Sequence, residues 1–103
     1  MSFIIIYVTN ENLTEAEKIT NRLLEKKLIA CGNHMPIKSA YWWQGKIENE
    51  DEYVTLLKTR KENWESVRDE IEKIHTYDTP CIIKIEVEAN ASYEQWINNE
   101  TNG

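Results

Sequence analysis

Copper-preferring soft donors stand close together at Cys31, His34 and Met35. Strand alternation works against them as a set. Cys31, Asn33 and Met35 would share one face and His34 the other, so only a bulge near Pro36 could join Cys31 to His34. His75 is a second imidazole, just past a helix C-terminus, where the helix dipole favours an imidazolium. Glu48, Glu50 and Glu52 recur at period two, so neighbours on one strand face stand about 6.7 Å apart. One ion bound at about 2.0–2.6 Å cannot hold all three. They read as a solvated edge that resists aggregation, or as carboxylates that three subunits could gather round an axis. Lys58, Thr59, Arg60 and Lys61 close a strand before a helix, where backbone amides and two cations could hold an anion or where the cations are simply solvated. There is no Gly-rich phosphate loop, no G-x-S-x-G, no helical His pair at zinc spacing and no Cys-His-Asn set, so the chain carries no signature of catalysis.

These residues are positioned by a regular run of elements. Phe3 to Thr9 is a continuous apolar, β-branched stretch, expected as a strand buried on both faces. Thr14 and Glu17 have capping-box spacing, and Ala16, Ile19, Thr20, Leu23 and Leu24 follow at helical period. Leu28 to Trp43 reads as a strand starting at Leu28-Ile29-Ala30-Cys31, with Pro36 marking an edge or a bulge. Gln44-Gly45 is a two-residue hairpin turn, with a second candidate turn at Asn49-Glu50-Asp51. Tyr53 to Thr59 is the return strand. Trp64, Val67, Ile71 and Ile74 form the stripe of a second helix over Asn63 to Ile74. Cys81 to Val87 alternates as a strand. Ser92 and Gln95 repeat the capping-box spacing before a short helix with Tyr93, Trp96 and Ile97, and a polar, frayed tail follows from Asn98. The order βαββαβ plus a helix is the split βαβ, or ferredoxin-like, α+β pattern, with both main helices on one face of an antiparallel sheet.

Composition narrows the partners. The 103 residues make one domain, 1–103, with 18 acidic and 12 basic side chains and a net charge of −6. An acidic chain fits neither nucleic acid nor an anionic membrane, both of which need a basic surface. No apolar run approaches the roughly 20 residues of a membrane span. Two cysteines make no disulfide framework, and the start lacks a basic n-region, so a cytoplasmic location with reduced thiols is expected.

The hairpin predicts an oligomer. A 14-residue arm reaches about 46 Å at 3.3 Å per residue, whereas a helix of 12 to 14 residues covers about 20 Å. Roughly half the hairpin overhangs, carrying Tyr41, Trp42, Trp43 and Ile47. That apolar load calls for a partner chain, unless a shorter hairpin folds its aromatics back on the core.

Tyr41-Trp42-Trp43-Gln44-Gly45-Lys46-Ile47-Glu48 resembles the Y-W-W-x-G-K-I-E signature of the CutA1 family of divalent-cation tolerance proteins. Tyr7-Val8-Thr9, Leu28-Ile29-Ala30-Cys31, Leu57-Lys58-Thr59, His75-Thr76-Tyr77-Asp78-Thr79-Pro80, and Tyr93 with Trp96 match further family segments in order. The resemblance implies a ferredoxin-like subunit in a homotrimer similar to PII signalling proteins, with hairpins wrapping neighbouring subunits. It also implies weak binding of copper or another divalent cation, with no obligatory cofactor. Some members place a Cys where this chain has Val8, a second His where it has Ile74, and a Pro where it has Thr76. His75 is then the one metal ligand carried over.

The leading expectation is a homotrimeric, non-catalytic protein of divalent-cation tolerance that responds to metal ions. Tyr41, Trp42, Trp43, Gly45 and Lys46 serve its subunit contacts. One alternative is a PII-like sensor of small molecules or anions, using intersubunit clefts near Lys58, Arg60, His75 and Tyr77. Another is a trimeric scaffold for partner proteins.

Overall fold

The computed structural model describes residues 2–102; Met1 and Gly103 lie outside them. The elements are β1 (Phe3–Asn10), α1 (Leu13–Glu25), β2 (Cys31–Trp43), β3 (Lys46–Thr59), α2 (Trp64–Ile74), β4 (Ile82–Val87) and α3 (Ala91–Glu100). A short 3-10 turn, Lys61–Asn63, precedes α2. The strands form one antiparallel sheet in the order β2-β3-β1-β4, the ferredoxin-like arrangement expected.

Pleating sorts the sheet into two faces. Ile4, Ile6 and Val8 of β1 share a face with Leu57 of β3, which is level with Ile6, and meet Ile19 and Leu23 of α1 and Val67 and Ile71 of α2 in one buried cluster. Burying each such aliphatic side chain contributes about 1.5–3 kcal/mol. α1 approaches β2 so closely that a Cβ at Gly32 would lie 2.7 Å from Thr20 Cγ2. The opposite face carries Ile5, Tyr7, Met35, Ile83 and Ile85, with Met35, Ile83 and Ile85 exposed. β1 is therefore fully buried only at Phe3 and along its helix-facing side, not on both faces, because a single chain brings helices α1 and α2 to one face alone.

α3 crosses to the other face. Its Tyr93 packs edge-on against Phe3 at 6.0 Å and accepts a hydrogen bond from Lys58 Nζ at 3.2 Å. Ile97 is fully buried, while Trp96 stays exposed. The expected frayed tail is instead anchored as far as it is described. Thr101 is buried and Asn102 donates its amide to Lys27 O at 2.9 Å.

Several local expectations are corrected. The α1 cap is Asn12, whose Oδ1 accepts from the Glu15 amide at 2.9 Å; Thr14 already lies inside the helix. At α3 the boundary residue is Asn90, which donates to Ser92 Oγ, so no Ser92–Gln95 box forms. Leu28 to Ala30 is not strand. Lys27 takes a positive φ of 57°, turning the chain, and Leu28 O is then held by Thr59 Oγ1 at 2.6 Å and Asn63 Nδ2 at 3.1 Å. Asn49, Glu50 and Asp51 make no turn; they pair with Ala40, Ser39 and Lys38 inside the hairpin. β4 begins at Ile82, one residue after Cys81.

The hairpin itself is as long as expected. β2 and β3 pair without a bulge from Cys31–Lys58 to Trp43–Lys46. Gln44 and Gly45 both have positive φ, 50° and 80°, the type I′ geometry whose twist matches antiparallel strands. β1 accompanies β3 only from Tyr53 to Thr59, so the stretch from Lys46 to Glu52 and its partners in β2 project as a two-stranded arm. The molecule measures 45 × 24 × 21 Å as a result.

Candidate functional site

Where α2 ends, the connector from His75 to Pro80 wraps round the end of β1. His75 closes the helix, its amide bonding Ile71 O at 2.9 Å. Its ring then takes two opposite partners: Nε2 lies 2.9 Å from Thr9 O, and Nδ1 lies 3.0 Å from the Tyr77 amide. A carbonyl can only accept and an amide N–H can only donate. The ring is therefore the neutral tautomer with hydrogen on Nε2 and its lone pair on Nδ1. The Tyr77 ring sits 4.7 Å from the His75 ring.

Tyr77 carries the connector to the helix-free face. Its hydroxyl donates to Glu52 Oε2 at 2.6 Å. Glu52 is 6% exposed, unlike the solvated carboxylate expected of it. Burial first, then the bond to Glu52 and the charges of Glu52, Glu50 and Glu11, hold the Tyr77 phenol well above its ordinary range. Cys81 lies beside Thr9, and burial pushes its thiol up, opposed by a hydrogen bond with Thr9. Thr9, Glu52, His75, Tyr77 and Cys81 thus converge at the root of the hairpin. Sequence reasoning named His75 and Tyr77, read Glu52 only as one of a period-two set of edge carboxylates, and did not bring Cys81 to the site. The available signal was register, which sets Glu52 one step beyond the last pairing of β3 with β1.

The cleft candidates do not converge within one chain. Lys58 lies six residues along β3 from Glu52, about 20 Å at 3.3 Å per residue. Its ammonium is engaged by Tyr93, 5.4 Å from the ring centre. Arg60 closes the C-terminus of α3, with Nε 3.0 Å from Thr101 Oγ1 and Nη2 2.7 Å from Thr101 O, and with a further bond to Asn98 O. Lys61 faces Glu86 at 3.9 Å. These cations tie the fold together rather than frame an anion. The cluster of soft donors is also parted, as alternation predicts. His34 Nδ1 meets Thr55 Oγ1 at 3.0 Å on the helix-covered face, while Cys31 shares the other with Asn33. Among the described residues no three His, Cys, Asp or Glu side chains gather to hold a metal ion. A metal at His75 would have to displace the Tyr77 amide from Nδ1.

The arm carries the remaining candidates. Trp42 and Ile47 pair on one face and Trp43 and Lys46 on the other. Trp42 is 72% exposed and Ile47 61%. Tyr41 is level with Glu48, and hydrogen bonding to Glu50, with the charges of Glu50, Glu52 and Glu48, pushes its phenol up to about 12. Gly45 has nothing within 4 Å of a Cβ position, so its requirement is the positive φ alone.

Fold and surface together define a ferredoxin-like α+β domain with a bare apolar sheet face and a projecting aromatic arm. A family model described as CutA1 divalent ion tolerance protein matches residues 4–100. The chain belongs to that family. It is 50% identical over 93 residues to the divalent-cation tolerance protein CutA of Archaeoglobus fulgidus, covering 89% of this chain and 91% of that one. It is 42% identical over 99 residues to the protein of the same name from Pyrococcus horikoshii, covering 95% and 97%. A crystallised point mutant of P. horikoshii CutA1 superposes with a TM-score of 0.95 at 42% identity, covering 97% of this chain and 99% of that one. The A. fulgidus structure, described as a periplasmic divalent cation tolerance protein, gives 0.92 at 48% identity, covering 97% and 98%.

Proposed function

We propose that the protein is a homotrimer of divalent-cation tolerance that binds copper or a related divalent ion weakly and without catalysis. The supporting observation is the unfinished sheet. Met35, Ile83 and Ile85 stand bare on one face and Tyr41, Trp42, Trp43 and Ile47 on the arm, an apolar surface that a second and third copy would cover. Free thiols at Cys31 and Cys81 suit a cytoplasmic setting.

His75 is the metal ligand of this reading, at the root of the arm beside Glu52 and Cys81. Its lone pair is engaged by the Tyr77 amide, which a bound metal must displace, so binding is weak in this reading. Calorimetry with Cu(II) on the assembled protein tests it. Weak heat that largely disappears in His75→Ala is the expected result. Heat that survives in His75→Ala but is lost in His34→Ala would move the site to β2.

A further inference from the structure

The arm leaves the sheet at a defined point. β1 accompanies β3 as far as the Asn10–Tyr53 pair. There the Asn10 side chain, 1% exposed, donates from Nδ2 to Tyr53 O at 3.2 Å and to Thr55 Oγ1 at 3.1 Å. Glu52, the next residue outward, is level with Ile37 in a ladder that has lost its third strand. Its neighbours Glu50 and Asp51 are exposed, yet Glu52 is buried. The Tyr77 hydroxyl donates to its Oε2 at 2.6 Å. Among the described residues this is the one side-chain hydrogen bond between the arm, residues 37–52, and the rest of the chain; the Lys38–Asp51 pair stays within the arm.

Tyr77 is itself held from behind. Its amide donates to His75 Nδ1 at 3.0 Å, and its ring lies 4.7 Å from the imidazole. His75 Nε2 donates to Thr9 O at 2.9 Å, and the His75 amide closes α2 on Ile71 O. Among the described residues His75 bonds nothing in the arm. The bonds therefore run in series, from the ends of β1 and α2 through His75 and Tyr77 to the first carboxylate of the arm. A two-stranded ribbon has little stability of its own, and a hydrogen bond to an ionised acceptor is roughly twice as strong as a neutral one. One such bond at the root is a large share of what fixes the arm to the sheet.

We propose that Tyr77 is a latch between the His75 connector and the arm. Loss of either the His75–Tyr77 bond or the Tyr77–Glu52 bond frees the arm at its root and leaves the sheet in place. The latch is made by this chain's own residues and needs no metal at His75.

Hydrogen exchange on the full chain tests it, read at the protected amides of residues 37–52 against those of residues 4–8 in β1. Tyr77→Phe keeps the ring and removes only the hydroxyl. It should speed exchange in the arm about tenfold and leave β1 unchanged. His75→Ala should do the same from a position that bonds nothing in the arm, and the double variant should exchange no faster than Tyr77→Phe alone. Glu52→Gln keeps an acceptor for the hydroxyl and should retain most of the protection. Tyr77→Phe with Glu52→Gln carries the test if His75→Ala does not fold. Arm exchange unchanged in Tyr77→Phe overturns the proposal. So does an equal rise in β1, which would make Tyr77 an ordinary packing residue. Additive acceleration in the double variant also overturns it, because the two bonds would then act separately.

Discussion

The two halves of the β2–β3 hairpin have the same backbone pairing and opposite circumstances. From Tyr53 to Thr59, β3 is flanked by β1, buried at Thr55, Leu57 and Thr59 on the face roofed by α1 and α2, and buried at Val54 on the other. From Lys46 to Glu52 the ladder continues, but no helix covers it and the aromatic side chains face solvent. The ion pair that spans the arm, Lys38 with Asp51 at 2.6 Å, is exposed and worth little. Backbone pairing alone does not make a sheet stable. The inner half is finished by its own chain, whereas the arm has its hydrogen bonds and lacks its burial.

The largest effect on folding stability is expected in the inner half. Leu57→Ala or Ile71→Ala removes a fully buried side chain and should cost about 2–5 kcal/mol, read from denaturant unfolding. The matching change in the arm, Trp42→Ala with Trp43→Ala, should leave the subunit fold intact. In an assembled arm each truncation should cost about 3–5 kcal/mol of association, read as dissociation on dilution by light scattering. If the pair of changes alters neither assembly nor its concentration dependence, the arm is not an interface.

A middle-sized effect sits between the helices. Glu70, 5% exposed, meets Arg22 Nε and Lys26 Nζ, each at 3.0 Å. Hydrogen bonding to Lys26, opposed by burial and aided by Arg22, holds its carboxyl below the ordinary range. A depressed carboxyl contributes stability that is present above its unfolded value of about 4.3 and is lost as pH falls through the folded value. Glu70→Gln should cost about 2 kcal/mol at neutral pH and flatten that acid-side loss, measured by urea unfolding across pH. The smallest effect is at Lys27, whose positive φ suits glycine. Lys27→Gly should gain up to about 1 kcal/mol, visible as a small rise in the unfolding midpoint.

Legibility in the sequence followed the range of the interactions. The stripes Ile19–Leu23 and Val67–Ile71 and the Gln44-Gly45 turn are local patterns, and each forms as read. The capping boxes failed because Asn12 and Asn90 stand two residues earlier and set the boundaries. Glu52 looked solvated because its covering group, Tyr77, arrives from a connector 25 residues away. Arg60 looked available because its partners, Asn98 and Thr101, lie far along the chain at the end of α3. Period and turn chemistry reveal elements; they do not reveal which side chain a distant loop will cover.

If further copies of the chain complete the arm and the bare sheet face, the assembly must be visible in solution. Sedimentation equilibrium of the purified protein at micromolar concentration addresses this directly. A single species of about three times 12.2 kDa is predicted. A stable, fully folded species of 12.2 kDa under those conditions would contradict it.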